Sequence, residues 1–346
     1  MDTSTRGNRT LVTSLALSSE LSRLAVQIWA SVILLISFAG IICNAFLFLV
    51  IARSKRLRAG TGFLILNLVF ACLLASTVNY PLHALMVVGK TFWFPLPGSV
   101  CNYTHYIMSI TAYANNWFEA FLGINRFVAT VCPHGFRSWT SARVCLVISI
   151  FCWTFGAVTT LPFCFGMGAQ FLVSDFGQCR GLVTSSLGVA LLSLNTYLPY
   201  GIVAIAIVPV LSKLFALQLA KWRSRMIARP EAIFGETSQQ RALLRRRLTV
   251  ARMLLLSFLF CLACNLPLSI ASSFFTEAYG RIPLLSLWLR VFLVFQYAAT
   301  PVIFFACNDD YRHNLRRLIS NPQACSTPTK EAIELRTIPT SSMRHL

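Results

Sequence analysis

Long apolar runs without a charged side chain constrain this sequence more than any other feature. Asp, Glu, Lys and Arg are all absent from six runs: Leu24–Ala52, Ala59–Gly89, Val144–Ser174, Gly181–Ser212, Met253–Thr276 and Val291–Asn308. A seventh apolar stretch, Thr91–Asn125, is interrupted only by Glu119. A helix that crosses a bilayer needs roughly 20 apolar residues, so each of the seven stretches can supply one. Val291–Asn308 is short for a span unless its helix starts near Pro283. Helices of a soluble bundle seldom run beyond ~25 residues without a charge, and we therefore predict seven membrane-spanning helices.

The composition excludes several classes of protein. The chain has 346 residues, of which 56% are hydrophobic and 12% charged, against roughly 25% charged in a soluble domain. This balance rules out a disordered protein, a nucleic-acid-binding globule and most cytosolic enzymes. We predict an all-α fold, a seven-transmembrane helix bundle without a sizeable soluble domain. An enzyme or a transporter is not supported, because the sequence has no GxSxG motif, no metal-ligand spacing and no broken-helix repeat.

The basic residues predict the orientation of the chain. Of the Lys and Arg residues, 23 lie on the side that contains the loop Lys213–Arg252 and the C-terminus, and 7 lie on the other side. The positive-inside rule then places the N-terminus outside and the C-terminus in the cytoplasm. We expect a multi-pass plasma-membrane protein whose first span serves as the targeting signal, since residues 1–19 have no apolar core of a signal peptide.

These assignments divide the chain into four parts. Residues 1–24 form an extracellular N-terminus, with Asn8 in a glycosylation sequon, and residues 25–308 form the transmembrane domain. Residues 309–320 are predicted to form an amphipathic eighth helix on the membrane surface. Residues 321–346 form a disordered cytoplasmic tail, in which Cys325 is a palmitoylation site by its position after that helix.

Two cysteines differ from those inside the apolar runs. Cys101 begins the third span and Cys179 lies in the loop between the fourth and fifth spans, so both face the oxidising side. A disulfide between them is the natural pairing there. Cys164, at the outer end of the fourth span, remains a rival partner. Cys261 and Cys264 lie one turn apart, but in an apolar helix, where packing explains them. No histidine cluster has zinc-ligand spacing, and we expect neither a metal nor a cofactor.

Spaced motifs give the chain a family resemblance. Arg126, in Asn125-Arg126-Phe127, follows Cys101 by 25 residues. Further marks in order are Asn44, Pro133, Trp153, Pro199, Cys264-Asn265-Leu266-Pro267, Thr300-Pro301-Val302-Ile303-Phe304 and Tyr311-Arg312. Together they resemble the rhodopsin-like (class A) family of G-protein-coupled receptors over everything but the tails. The third-helix tripeptide resembles that of melatonin receptors and of several invertebrate orphan receptors.

The resemblance implies a ligand-gated receptor with a heterotrimeric G protein, and arrestin, as partners. Arg126 corresponds to the arginine that opens toward the G protein in this family. The implied coupling residues are Asn125, Arg126, Phe127, Arg245, Arg246 and Arg247. Two simpler interpretations stay open: Arg126 as a snorkelling interfacial side chain, and the basic third inner loop as a determinant of topology alone.

Departures from the family pattern fall at its switch positions. Cys72 stands where the family has its sodium-binding Asp, Asn265 where it has the toggle Trp, and Phe304 where NPxxY has Tyr. Ile207 replaces a Tyr of the fifth helix, and Asn125 replaces the acid beside the arginine. The implied switch residues are Cys72, Glu119, Asn265, Pro267, Thr300, Pro301 and Phe304. These losses favour the alternative that the chain is a non-signalling scaffold or scavenger of the same architecture.

Glu119 and the outer polar residues are the remaining candidates. Glu119 is either a functional intramembrane carboxylate or a neutral, buried structural acid. Met108 stands at the counter-ion position of amine receptors, and Val294 at the retinal lysine of opsins, so both ligands are disfavoured. The predicted ligand pocket comprises His83, Met108, Tyr113, Asn116, Asn195 and Gln296, with Asn79 and Tyr197 nearby. Each polar one could instead make interhelical hydrogen bonds. The expected ligand is small and uncharged, or lipid-like.

Overall fold

The computed structural model describes residues 3–93, 97–132, 135–174, 176–226, 238–275, 279 and 282–320. Within these ranges only the backbone is described for residues 3–19, 93, 214, 217–218, 220–226, 238–251, 254 and 283. Pro133 and the tail with Cys325 lie outside the described residues. Asn8, Arg245, Arg246 and Arg247 lie within helices, but their side chains are not described.

In the part of the chain that the structure describes, seven long helices form a bundle, which confirms the predicted fold class. The first is Thr3–Arg53, and the second runs through Thr61–Leu74, the π-helical Ala75–Asn79, Tyr80–Val88 and the π-helical Gly89–Trp93. The third is Gly98–Val131, and the fourth is Ala142–Cys164. The fifth comprises Ser186–Asn195 and Tyr197–Met226, the sixth is Ser238–Phe274, and the seventh is Pro283–Cys307. Short helical turns, Lys55–Arg58 and Phe136–Trp139, lie in the first two loops on the side predicted to be cytoplasmic. This side of the bundle is called inner, and the opposite side outer.

Six helices are long and apolar enough to cross a membrane by length and composition. Those segments of the described chain are Glu20–Arg53, Thr61–Phe92, Ala142–Cys164, Ser186–Lys213, Leu255–Phe274 and Leu284–Cys307. The third helix, 34 residues long, extends about 51 Å at 1.5 Å per residue and is more polar. It packs against the second, fourth, fifth and sixth helices, and most of its polar side chains are buried against them.

Two helix ends differ from the boundaries that the apolar runs suggested. The first helix begins at Thr3, so the described part of the predicted N-terminal segment continues into the first span as one helix. The seventh helix begins at Pro283, where a proline is tolerated because the first helical N–H has no partner. Arg290 consequently lies about two turns inside the seventh helix.

Local sequence explains several of the breaks between elements. Pro81 lacks a backbone N–H, and the π-helical Ala75–Asn79 immediately precedes it and absorbs the interruption. Ser141 caps the fourth helix, its hydroxyl accepting from the backbone N–H of Val144 at 3.5 Å. A Cβ at Gly62 would lie 1.5 Å from the carbonyl oxygen of Leu57, so this turn requires glycine.

Asp309–Ser320 forms the eighth helix, as predicted. Tyr311, Leu315 and Leu318 occupy one face at helical spacing, and they pack against the inner apolar core. Arg312 and Arg316 lie on the opposite, exposed face. The helix is therefore amphipathic and its apolar face is fixed to the bundle.

Hydrogen bonds between helices hold the bundle at several levels. The Trp29 indole N–H donates to the carbonyl of Leu287 at 2.9 Å, which joins the outer ends of the first and seventh helices. Deeper in the bundle, the Asn44 amide donates to the carbonyl of Tyr297 at 3.0 Å. Trp153 Nε1 donates to Asn67 Oδ1 at 3.4 Å and joins the fourth helix to the second.

Candidate functional site

A β-hairpin covers the outer end of the bundle. Strands β1, Ala169–Val173, and β2, Cys179–Val183, pair antiparallel with Val173 opposite Cys179. A disulfide joins Cys179 to Cys101 at the start of the third helix, with a Cα–Cα distance of 5.4 Å. The predicted pairing is confirmed, and Cys164 is a free thiol. The hairpin is thereby fixed over the third helix.

A cavity of about 680 Å³ lies beneath this hairpin. The third helix contributes His105, Ser109 and Tyr113, and the seventh contributes Arg290. The remaining walls come from the hairpin, the fourth, fifth and sixth helices and Tyr279, and they are mainly apolar, with Phe163, Phe171, Leu172, Leu182, Val189, Leu192, Leu268 and Phe274 among them. The volume is in the range of small-molecule sites.

Arg290 is the most buried charge of the cavity wall, with only 8% of the residue exposed. Its guanidinium lies 2.8 Å from His83 Nε2 and donates to the carbonyl oxygen of Cys179 at 2.9 Å. Because arginine only donates, His83 Nε2 accepts, and the proton of this neutral imidazole is on Nδ1. Arg290 Nε is buried and has no hydrogen-bond partner. Both partners of this cation are therefore neutral.

A second arginine of the cavity follows Cys179 in strand β2. Arg180 donates to the carbonyl oxygen of Tyr279 at 3.0 Å, and its guanidinium carbon lies 5.5 Å from the centre of the Tyr279 ring. Among the described residues that line the cavity, no side chain is a carboxylate. The nearby acids in sequence, Asp175 and Glu277, lie outside the described residues. The described wall of the cavity is therefore positively charged.

The residues predicted for the ligand pocket do not all lie in one site. Tyr113 lines the outer cavity, as does the neighbouring candidate Tyr197, whereas His83 positions Arg290 from behind. Met108 packs against the outer apolar core. Gln296 lies deeper, against the sixth helix.

Asn116 and Asn195 hold helices together instead of facing the cavity. The Asn116 amide donates to the carbonyl of Asn195 at 3.0 Å and accepts from the Tyr200 hydroxyl at 3.3 Å. Asn195 in turn donates to Thr159 Oγ1 at 3.0 Å. These bonds join the third, fourth and fifth helices, which is the alternative that the sequence left open. Asn79 is buried, and its Oδ1 has no partner.

Arg290, Arg180 and His105 were not among the predicted site residues. The sequence did contain a signal for Arg290: the run Val291–Asn308 is long enough to span a bilayer only when its helix starts near Pro283, and this start places a charge inside the span. Such a charge marks a functional site by default. His105, whose ring stacks on Phe171 at 4.5 Å, carried no comparable signal, because the hairpin above it is a long-range contact.

A polar core lies below the cavity. Cys72 Sγ lies 3.6 Å from Asn115 Oδ1, and the Asn115 amide donates to Glu119 Oε1 at 3.5 Å. Glu119 is buried and its Oε2 has no hydrogen-bond partner. The Asn265 amide donates to Gln296 Oε1 at 2.7 Å and contacts Cys261 Sγ at 3.2 Å. Neutral side chains thus link the second and third helices, and the sixth and seventh.

Prolines and a phenylalanine occupy predicted switch positions on the two helices that Asn265 and Gln296 join. Pro267 and Pro301 lie inside the sixth and seventh helices, where each removes one backbone hydrogen bond. The Thr300 hydroxyl donates to the carbonyl of Gln296 at 2.8 Å. Phe304 is fully buried, and its ring centre lies 6.1 Å from that of Tyr311 in the eighth helix.

Arg126 lies at the inner end of the third helix. No ion pair joins it to any described carboxylate, and its Nε is buried without a hydrogen-bond partner. The preceding Asn125 is buried, and its Oδ1 accepts from the Thr61 hydroxyl at 3.1 Å. Phe127 is half-buried beside them. A small cavity of about 40 Å³, which Glu119 and Arg126 both line, lies between the third, fifth and sixth helices.

Comparisons with known proteins agree with this architecture. Residues 43–304 match the model of the family described as 7 transmembrane receptor (rhodopsin family). The crystal structure of squid rhodopsin superposes with a TM-score of 0.69 at 16% identity, covering 91% of this chain and 93% of that chain. At this identity, the likeness shows the fold alone.

Three curated relatives match shorter segments. Dopamine receptor 4 of Caenorhabditis elegans is 26% identical over 150 residues, which are 42% of this chain and 28% of that protein. The tachykinin-like peptides receptor 86C of Drosophila melanogaster is 24% identical over 39% of this chain and 26% of its own length. The allatostatin-A receptor of Bombyx mori is 28% identical over 37% of this chain and 35% of its own. The chain therefore spans between about a quarter and a third of these relatives.

Proposed function

The chain belongs to the rhodopsin family of seven-transmembrane receptors, and from that membership we propose that it senses an extracellular ligand and activates a heterotrimeric G protein. In this proposal it lies in the plasma membrane with the N-terminus outside. The outer cavity of about 680 Å³ is the ligand site. The inner face around Arg126 is the G-protein site, with arrestin as a second partner of that face.

One observation carries this proposal: Arg126 has no ionic partner among the described residues, at the inner end of the helix that also lines the outer cavity. The third helix runs unbroken from Cys101 beside the hairpin to Arg126. A ligand that binds one arrangement of the surrounding helices more tightly shifts the population toward it. The sixth helix, interrupted at Pro267, is the element that we expect to move away from Arg126.

The names of the relatives suggest dopamine or peptides as ligands, and the cavity discriminates between these classes. A protonated amine needs a carboxylate partner, and Met108 occupies the counter-ion position of amine receptors. The described cavity wall carries two arginines and no acid. We therefore propose a small or lipid-like ligand that is not a cation. The prediction of an uncharged ligand leaves the two arginines without a role.

The test is G-protein activation by the full chain. We expect ligand-free output above vector control with at least one G-protein class, and loss of that output in Arg126→Ala. Lys90→Gln, which removes an exposed charge at the outer end of the second helix, is the matched control and should leave output unchanged at equal surface expression. Output that is absent with every G-protein class would favour the non-signalling scaffold or scavenger, which the lost switch residues also support.

A further inference from the structure

Among the described residues, no negative charge pairs with Arg290. Its two hydrogen-bond partners, His83 Nε2 and the Cys179 carbonyl, are neutral acceptors. The residue is 8% exposed, and its Nε is buried with no partner. A buried cation is costly unless a negative charge pairs with it. The described residues around the cavity provide no such charge.

Arg180 lies beside this group, because Cys179, whose carbonyl binds Arg290, is its neighbour in strand β2. Its own contacts are also neutral, a backbone carbonyl and the face of the Tyr279 ring. The disulfide to Cys101 fixes this strand over the cavity. Each guanidinium group is thus held by neutral partners, and both line the same cavity.

The rest of the cavity is unlike the site of a fully polar anion. Phe163, Val189, Leu192, Leu268 and Phe274 form its sides, away from the two arginines. Such a wall favours a hydrocarbon or aromatic body. The volume of about 680 Å³ accommodates a body of this kind together with one acidic group.

We propose that the outer cavity binds an amphipathic organic anion, whose acid group pairs with Arg290 and Arg180 and whose apolar body lies between the fourth, fifth and sixth helices. This inference rests on the proposed receptor function, because it takes this cavity as the ligand site. The required chemistry is a carboxylate on an apolar body. A fatty acid and the free C-terminus of a hydrophobic peptide both supply it.

Direct binding tests the proposal without any signalling readout. The full chain is purified into phosphatidylcholine nanodiscs, and binding of radiolabelled decanoate is measured after subtraction of empty nanodiscs. Unlabelled decanoate should compete, whereas decanamide and decylamine should compete at least about tenfold more weakly. A second arm uses an N-acetylated hydrophobic tripeptide acid and its C-terminal amide. If the acid outcompetes its amide by the larger factor in the decanoate arm, a fatty acid supplies the carboxylate. If the factor is larger in the tripeptide arm, a peptide C-terminus supplies it.

Substitutions assign the preference to the arginines. Arg290→Gln should weaken decanoate binding by about 10- to 100-fold, the loss expected of a charge-assisted hydrogen bond, and Arg290→Lys should restore part of it. Arg180→Gln, at a partly buried position where folding is little affected, should weaken it less. Lys90→Gln, an outer cation that is not among the cavity's lining residues, should remain within about twofold of wild type.

The outcomes separate this inference from the receptor function. Equal competition by acid, amide and amine in both arms, or undiminished decanoate binding by Arg290→Gln and Arg180→Gln, would overturn the anion site. A purely structural Arg290 would lower stability on substitution without changing the preference for acid over amide. Acid-selective binding in a protein that activates no G protein would support the site and contradict the proposed function. Arg126-dependent output from a protein that binds acid, amide and amine equally would support the proposed function and contradict the anion site.

Discussion

The side-chain amide of Asn265 donates to Gln296 Oε1 at 2.7 Å and joins the sixth helix to the seventh. Asn265 precedes Pro267 by two residues, and Gln296 precedes Pro301 by five. The bond thus lies between the two proline-interrupted segments. A movement of the sixth helix that carries Asn265 away from the seventh helix would have to break or exchange this bond.

Removing this bond should show coupling between the two positions. In a double-mutant cycle of Asn265→Leu and Gln296→Leu, we expect a coupling of about 0.5–1.5 kcal/mol, because interhelical hydrogen bonds in membranes average about 0.6 kcal/mol. The measurement is the unfolding free energy of each variant in the same detergent. Cys264→Ala combined with Gln296→Leu is the control and should be additive. Additivity of the Asn265 pair as well would contradict a specific bond.

The disulfide should support both stability and the outer cavity. Replacing Cys101 or Cys179 by Ala should lower thermal stability and surface expression, since losing such a bridge costs about 2–5 kcal/mol in small secreted domains. Hairpin β1–β2 would also lose its covalent link to the third helix. Cys164→Ala, at a free and half-buried thiol, is the matched control. Surface expression of Cys101→Ala equal to that of Cys164→Ala would count against the structural role.

Sodium should not act as a negative allosteric modulator. Cys72 is fully buried and lies 3.6 Å from Asn115 Oδ1, so a thiol replaces the charged oxygen ligand that a hard cation prefers. Basal output should be the same in sodium and in choline at equal ionic strength. Cys72→Asp should acquire a sodium effect, with Cys72→Ser as the uncharged control. A sodium-specific change in the wild type would refute this prediction, and Glu119 would then be the ligand to test.

Ligand-free output should be high for a receptor of this family. Asn125 bonds to Thr61, and no described carboxylate pairs with Arg126, so the usual ionic restraint is missing. A lost restraint of about 1–2 kcal/mol raises the active fraction roughly 5- to 30-fold. Ile207 and Phe304 oppose this because they lack hydroxyls, but a charge-assisted pair outweighs one neutral bridge.

Two substitutions check the restraint. Asn125→Asp and Arg247→Glu each place an acid at a position where this family restrains the arginine, and each should lower basal output per surface receptor. Asn125→Leu, which supplies no charge, is the control for loss of the Thr61 bond. If neither acid lowers a detectable wild-type output, the missing restraint does not set the basal level.

Much of the architecture follows from the sequence by itself. The apolar runs specify the spans because a backbone in lipid must satisfy its own hydrogen bonds as helices. Cys101 and Cys179 lie near the outer ends of those runs, and this position predicts that they share the oxidising side and pair. The spacing from Cys101 to Arg126 places these two residues near opposite ends of the third helix. Leu318, seven residues after Tyr311, likewise marks the amphipathic face of the eighth helix.

The tertiary structure alone decided which polar side chains share a site. Gln296 was predicted for the ligand pocket, and the rotation of the seventh helix turns it toward Asn265 instead. Arg290, His83 and Cys179 come from three distant segments, and they meet because the hairpin folds over the bundle. Helix rotation and hairpin position depend on packing between residues that are far apart in the chain. A one-dimensional pattern of apolar and polar residues specifies each helix, but it does not specify these contacts.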